Sequence, residues 1–245
     1  MDRFPEPSSL GLAMFSDQVC SVRLHDLLEV DPERFIATEG RGKSIPGWVE
    51  ERLLAFPFVV VRRGMATERK IPVGVRGETR NQRWAASCHR ACVKKIITPP
   101  QLLQCAVSES RAQAIPALRS LFLLKVRWRD FDLPWGPGGS IAFELATGRQ
   151  VANPKSDLDI VVYADNRLTK NEAKRLCAVT ADLPSEIDIR VETPRCGFSL
   201  REYSSANSNI LLRTPTGGML GRDPWQHDLR IANANQVVKS ERGQR

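Results

Sequence analysis

The chain has 245 residues, 42% of them hydrophobic and 26% charged. That is a globular balance, which excludes a disordered or fibrous protein and allows one large domain or two small ones. Lys and Arg number 36 against 28 Asp and Glu, a formal charge of +8 that favours an anionic partner.

The longest apolar runs, Phe56–Val61 and Leu121–Val126, fall far short of the ~20 residues of a membrane span. The opening MDRFPEPSSL lacks the apolar stretch of a secretory signal. No membrane and a cytoplasmic location are therefore expected. The six cysteines, Cys20, Cys88, Cys92, Cys105, Cys177 and Cys196, have no disulfide-framework spacing. The tight pair in Cys88-His89-Arg90-Ala91-Cys92 lacks the second ligand pair of a structural zinc site and reads as buried thiols.

Phe56–Arg63 and Lys70–Arg76 are β-rich segments joined by the polar stretch Gly64–Arg69, a hairpin pattern. Gly77 ends the second strand. Thr79-Arg80-Asn81-Gln82 reads as a capping box opening a helix through Trp84 and Ala91. Arg76, Arg80 and Arg83 would crowd the start of that helix, where positive charge is unfavourable unless an anion sits nearby. They are candidate substrate contacts, with a solvated basic face as the plainer reading.

Ile96-Ile97-Thr98-Pro99-Pro100 marks a boundary, with Thr98 capping a helix and Pro99 in its first position. A helix over about 112–129 is expected to turn Ile115, Leu118, Phe122 and Val126 to one apolar face. The expected organisation is an N-terminal substrate-recognition domain over 1–97, a catalytic domain over 98–235 and a flexible tail over 236–245.

The chemistry lies in the second half. Trp135-Gly136-Pro137-Gly138-Gly139-Ser140 reads as a glycine-rich turn before a short helix, Ile141–Thr147, ended by Gly148. Such a turn leaves backbone N–H groups free to face phosphate, and Ser140 adds a hydroxyl. Next comes Ser156-Asp157-Leu158-Asp159-Ile160-Val161-Val162-Tyr163. Alternation on a strand puts Asp157 and Asp159 on one face and Leu158, Ile160 and Val162 on the other. Two carboxylates sharing a face repel, and a divalent cation relieves that repulsion. A strand-end cap and a solvated edge are the plainer reading.

Thr169-Lys170-Asn171-Glu172 is a second capping box, with Ala173, Leu176 and Cys177 on one helical face and Pro184 ending it. The strand Glu186–Glu192 alternates cleanly and carries Glu186, Asp188, Arg190 and Glu192 on its polar face. A strand–helix–strand unit would bring it beside the Asp157 strand. Asp188 is the favoured third carboxylate, with Glu186 as competitor and a solvent-facing edge strand as the bland alternative.

The order Gly-Gly-Ser, short helix, Asp-x-Asp and later Asp resembles the nucleotidyltransferase superfamily. That resemblance implies two Mg²⁺ ions, with Mn²⁺ as substitute, held by catalytic Asp157, Asp159 and Asp188. The string LPWGPGGSIAFELATGRQVANPKSDLDIVVYA, the later RVETPRCGFSLREY and LLRTPTGGMLGRDPW, and the earlier RLHDLL, FVVVRR and IPVGVRGETRNQR narrow it. Together, from about Arg23 to Trp225, they are similar to the malonate decarboxylase holo-acyl-carrier-protein synthase family, the phosphoribosyl-dephospho-CoA transferases. One departure is Cys196, where that family would have glycine.

The resemblance implies an α+β protein: a small mixed α/β N-terminal domain followed by a polymerase-β-like nucleotidyltransferase domain with a mixed sheet. It implies transfer of the phosphoribosyl-dephospho-CoA group from 2′-(5″-triphosphoribosyl)-3′-dephospho-CoA to a serine of the apo acyl-carrier subunit of malonate decarboxylase, with loss of diphosphate. Asp188 would be metal ligand or proton acceptor. Gly139 and Ser140 would orient the triphosphate, and Lys155 and Arg190 are weaker phosphate candidates that could pair with neighbouring acids instead. Rival readings are another nucleotidyltransferase, acting on a small molecule or RNA, and a non-enzymatic basic binding protein. Nucleic acid is disfavoured, because aromatics are only 7% and basic residues run at most in pairs such as Lys94-Lys95.

Overall fold

A computed structural model describes residues 22–39, 44–79 and 81–226. Expectations that fall on Cys20, Arg80, His227 and the tail 236–245 lie outside the described residues. The chain is α+β, with two sheets in succession.

The first sheet takes β1 (Leu27–Val30), β2 (Phe58–Val61), β3 (Lys70–Arg76), β4 (Arg83–His89) and β5 (Val93–Ile97), with helices α1 (Pro32–Glu39) and α2 (Gly47–Ala55) between β1 and β2. All its pairings are antiparallel, in the order β4-β3-β2-β1-β5. The expected hairpin is present, with Val61 opposite Val73.

The helix expected from Thr79 does not form. The Gln82 side chain accepts from the backbone N–H of Thr79 and Glu78, and Gly77 N–H bonds the Gln82 carbonyl. These local bonds close a turn, not a helix. The seven residues Arg83–His89 then pair with all of β3, from Arg76 opposite Arg83 to Lys70 opposite His89. Ladder pairing and burial of Ala86 and Cys88 outweigh the local helix signal. Cys88 and Cys92 are both buried free thiols, the Cys88 S–H directed at the His89 carbonyl.

Thr98 leads into α3 (Pro99–Leu102), where Gln101 Oε1 accepts from the Thr98 N–H at 2.8 Å. The expected long helix is broken in two, α4 (Glu109–Ala114) and α5 (Pro116–Arg127), because Pro116 cannot continue a helix from the preceding turn. The buried face keeps two of the four expected residues, Ile115 and Leu118, and loses the other two. Ala117, Leu118, Leu121 and Leu124 are buried, while Val126 is 69% exposed and Phe122 only partly covered.

The second sheet takes β6 (Trp135–Pro137), β7 (Leu158–Tyr163), β8 (Ile187–Glu192), β9 (Gly197–Ser199), β10 (Ile210–Thr214) and β11 (Gly217–Gly221), in the order β11-β10-β9-β8-β7-β6. It is mixed: β7 and β8 are parallel and the remaining pairs antiparallel. Helix α6 (Gly139–Thr147) follows β6, α7 (Lys170–Ala178) makes the β7–β8 crossover, and α8 (Leu200–Ser205) follows β9. Trp135–Pro137, expected as part of a turn, is an edge strand on β7, and the turn is confined to Gly138 and Gly139. The second capping box is present, Glu172 N–H to Thr169 Oγ1 and Thr169 N–H to Glu172 Oε2. Helix α7 stops at Ala178, well before Pro184.

Each sheet has its own core, and a third apolar cluster joins them. It gathers Leu27, Ile97 and Leu102 with Ala142 and Phe143 of α6. Polar contacts reinforce the joint. Tyr163 Oη donates to the Leu24 carbonyl at 2.7 Å, and the 4% exposed Glu192 carboxylate accepts from His25 Nε2 at 2.9 Å and Arg63 at 2.5 Å. Burial alone would raise the Glu192 pKa, but those two partners bring it below the usual carboxylate range.

Candidate active site

The parallel register of β7 and β8 sets Asp159 directly beside Asp188. Leu158, Ile160 and Val162 turn into the core on the opposite face, as period-two alternation requires. Asp157 lies one residue before β7 and is exposed. Burial raises the Asp159 pKa, Asp188 and Asp157 add to the rise, and Arg76 and Arg190 oppose it. β8 lies between β7 and β9, but β9 pairs only with Arg190–Glu192, so at the exposed Asp188 the strand has, among the described residues, a neighbour on the β7 side alone.

The glycine turn sits against this pair. Gly138 N–H bonds the Asp159 carbonyl at 2.8 Å. Gly139 has φ +58°, and a Cβ there would lie 1.9 Å from Asp159 Oδ2. Glycine is therefore required twice over, by the left-handed backbone and by the carboxylate in front of it. Gly148 caps α6 with φ +70° in open space. Helix α6 is anchored at its centre by the buried Glu144, which accepts two bonds from Arg111 at 2.7 and 2.9 Å and two more from the Val151 and Ala152 N–H groups.

A cavity of about 530 Å³ opens between the two sheets and joins these groups. From the second half come Gly138, Gly139, Asp159, Asp188 and Arg190; from the first come Arg62, Arg76, Arg83 and Trp84. Arg76 and Arg83 are thus cavity residues facing each other across a strand pair, not neighbours at a helix start. Arg62 and Trp84 were not singled out from the sequence. Arg62 sits in an Arg-Arg pair closing an apolar strand, and Trp84 became legible only once its segment proved to be a strand.

The weaker candidates divide. Arg190 donates to Asp188 Oδ2 at 3.1 Å, the pairing with a neighbouring acid that was its alternative role. Ser140 lies in the first turn of α6, outside the cavity lining. Lys155 is exposed in the loop before β7, also outside it. Glu186, the competitor of Asp188, is exposed just before β8. Cys196 is fully buried, its S–H directed at the Pro224 carbonyl in the turn after β8, away from the carboxylates.

Among the described residues no three Asp, Glu, His or Cys side chains stand close enough together to ligate one ion as they are. The donor set still fits a hard divalent cation. Asp157, Asp159 and Asp188 offer carboxylate oxygens alone, and the missing Cβ of Gly139 keeps the space in front of Asp159 open. Among the described residues no helix is long and apolar enough to cross a membrane.

Comparison with known proteins places this architecture. Residues 23–99 match the family model described as the phosphoribosyl-dephospho-CoA transferase MdcG N-terminal domain, and residues 101–224 match its C-terminal domain. A curated relative named phosphoribosyl-dephospho-CoA transferase from Pseudomonas syringae pv. tomato is 33% identical over 209 residues, 85% of this chain and 96% of that protein. Same-named relatives from Azotobacter vinelandii and Pseudomonas aeruginosa are each 34% identical, covering 78% and 75% of this chain and 91% and 87% of theirs. No solved structure matches the chain. With both family models matched in order, the chain belongs to the phosphoribosyl-dephospho-CoA transferase family and is a transferase.

Proposed function

We propose that the chain transfers the phosphoribosyl-dephospho-CoA group from 2′-(5″-triphosphoribosyl)-3′-dephospho-CoA to a serine hydroxyl of the malonate decarboxylase acyl-carrier subunit, releasing diphosphate. The observation that carries this reading is the cavity in which the Asp159–Asp188 pair meets Arg62, Arg76, Arg83 and Arg190. One wall is suited to a polyphosphate and the other to the acid–base and charge work at phosphorus.

In this reading residues 98–235 carry the chemistry and residues 1–97 help to recognise the donor. The arginines of β3 and β4 bind the triphosphate, and Gly139 lets its backbone approach the phosphate closely. Trp84 offers a ring face to the donor's adenine. Asp188 holds the serine hydroxyl and takes its proton as the new phosphate ester forms. Asp157, Asp159 and Asp188 are the ligands for two Mg²⁺ ions, or Mn²⁺, whose chemistry when bound is neutralisation of phosphate charge.

The test is incubation of the purified chain with Mg²⁺, the precursor and the apo-carrier. The carrier should gain the mass of the phosphoribosyl-dephospho-CoA group, diphosphate should appear, and a Ser→Ala acceptor should gain nothing. Chelation by EDTA should stop transfer and Mn²⁺ should restore it. Transfer of AMP from ATP to a small hydroxyl compound, with the carrier untouched, would overturn the substrate assignment in favour of another nucleotidyltransferase.

A further inference from the structure

A second cavity, of about 480 Å³, lies beside the start of β8 and shares Asp188 with the first. It exists because β9 is short. Pairing between β8 and β9 covers only Arg190–Glu192, after which the chain leaves Ser199 for α8. Among the described residues, Ile187, Asp188 and Ile189 therefore have a strand partner on the β7 side alone. The side left without a strand is flanked by the end of α7 and the start of α8.

The two cavities differ in charge. The first gathers Arg62, Arg76, Arg83 and Arg190 around two acids. The second gathers Asp157, Glu186 and Asp188 against the single Arg201. The arginines that attract a polyphosphate line the first cavity, whereas the second offers Arg201 alone. A transfer between two large substrates needs two approaches that converge on the reacting atoms, and Asp188 is where these two converge.

We infer that the second cavity receives the acceptor, as an extended serine-bearing peptide segment laid along the open side of Ile187–Ile189. Strand addition to an unpaired sheet edge supplies main-chain hydrogen bonds without demanding charge complementarity. It brings a side chain of the added segment to Asp188. The serine oxygen then bonds the donor phosphorus nearest the ribose as the bond from that phosphorus to the departing diphosphate breaks. The hydroxyl proton goes to the Asp188 carboxylate. This assignment rests on the transfer proposed above and adds the side from which each substrate enters.

Filling the cavity tests it. Ala181 is exposed on the cavity wall, so Ala181→Trp narrows the cavity without disturbing the core. The expected result is a KM for apo-carrier raised about tenfold with the KM for the donor within about twofold of wild type. An unchanged carrier KM, or a rise in the donor KM instead, would overturn the assignment. Hydrogen exchange supplies a second arm that needs no turnover: apo-carrier with its serine changed to alanine should slow exchange at Ile187–Ile189, and Ala181→Trp should remove that slowing. Absence of slowing also overturns it. A wild-type chain that protects these amides with carrier yet transfers nothing from the precursor would instead locate the error in the donor assignment.

Discussion

Asp159 and Asp188 are register partners across the one parallel strand pair of the second sheet. Strand spacing keeps directly paired residues within ~5 Å, so two carboxylates are held side by side where folding would otherwise separate them. Burial and the neighbouring acids together raise the pKa of Asp159.

The sign of that shift gives the first prediction. An acid whose pKa is higher folded than unfolded destabilises the fold as pH rises above the unfolded value, 3.8 for Asp159. Asp159→Asn should therefore melt at a higher temperature than wild type at pH 7, and the gap should close towards pH 4. Transfer should fall by about 10³-fold or more. Near-normal turnover in Mg²⁺ would remove Asp159 from the chemistry.

The two left-handed glycines flanking α6 make a matched pair. Gly139→Ala and Gly148→Ala should each cost about 1–2 kcal/mol in backbone strain, read as a drop in Tm. Only Gly139→Ala drives a Cβ into the Asp159 carboxylate, so transfer should collapse there and persist in Gly148→Ala. Equal activity loss in both would show that strain alone is responsible.

Arg63 and His25 hold Glu192 on the same strand as Asp188. Arg63→Ala leaves a buried carboxylate with one partner and should cost about 3 kcal/mol. Because the Glu192 pKa is lowered in the fold, its stabilisation is present above pH 4.5 and is lost as pH falls below that value. Thermal melts should show a steeper acid limb for wild type than for Arg63→Ala. The variant should also raise the donor KM, since the β3–β4 arginines lose their fixed height over the carboxylates.

Reversal of Arg83, which lines the first cavity at the exposed end of β4, should raise the donor KM about 3–10-fold. Wild-type KM should climb with salt, and the climb should be shallower in Arg83→Glu. Identical salt dependence would return the residue to a solvated face.

Cys88 is fully buried, and burial pushes its thiol pKa up to about 12. Alkylation of the native protein at pH 8 should leave it unmodified until denaturant is added, because the thiolate is the reactive form. Labelling at the rate of an exposed thiol would contradict the packing of β4.

Local signals decided the second half of the chain. Asp-x-Asp at the start of an apolar strand, a capping box at Thr169 and glycines on both sides of α6 are short-range patterns whose consequences are fixed within a turn or two of backbone. They carried the β7–α7–β8 unit and its aspartates. The first half was less legible where local and distant forces disagreed. Thr79–Gln82 offers helix-start chemistry, but seven ladder pairs with Lys70–Arg76, contributed by residues up to 19 positions away, turn Arg83–His89 into a strand. No pattern in the sequence links Arg62, Arg76, Arg83 and Trp84 to Asp159. The packing of Leu27 and Ile97 beside Phe143, the Tyr163–Leu24 hydrogen bond and the buried Glu192 shared by Arg63 and His25 bring one sheet over the other. The order of Asp157, Asp159 and Asp188 is written locally in the chain, whereas the basic wall opposite them arises from contacts between distant parts of the chain.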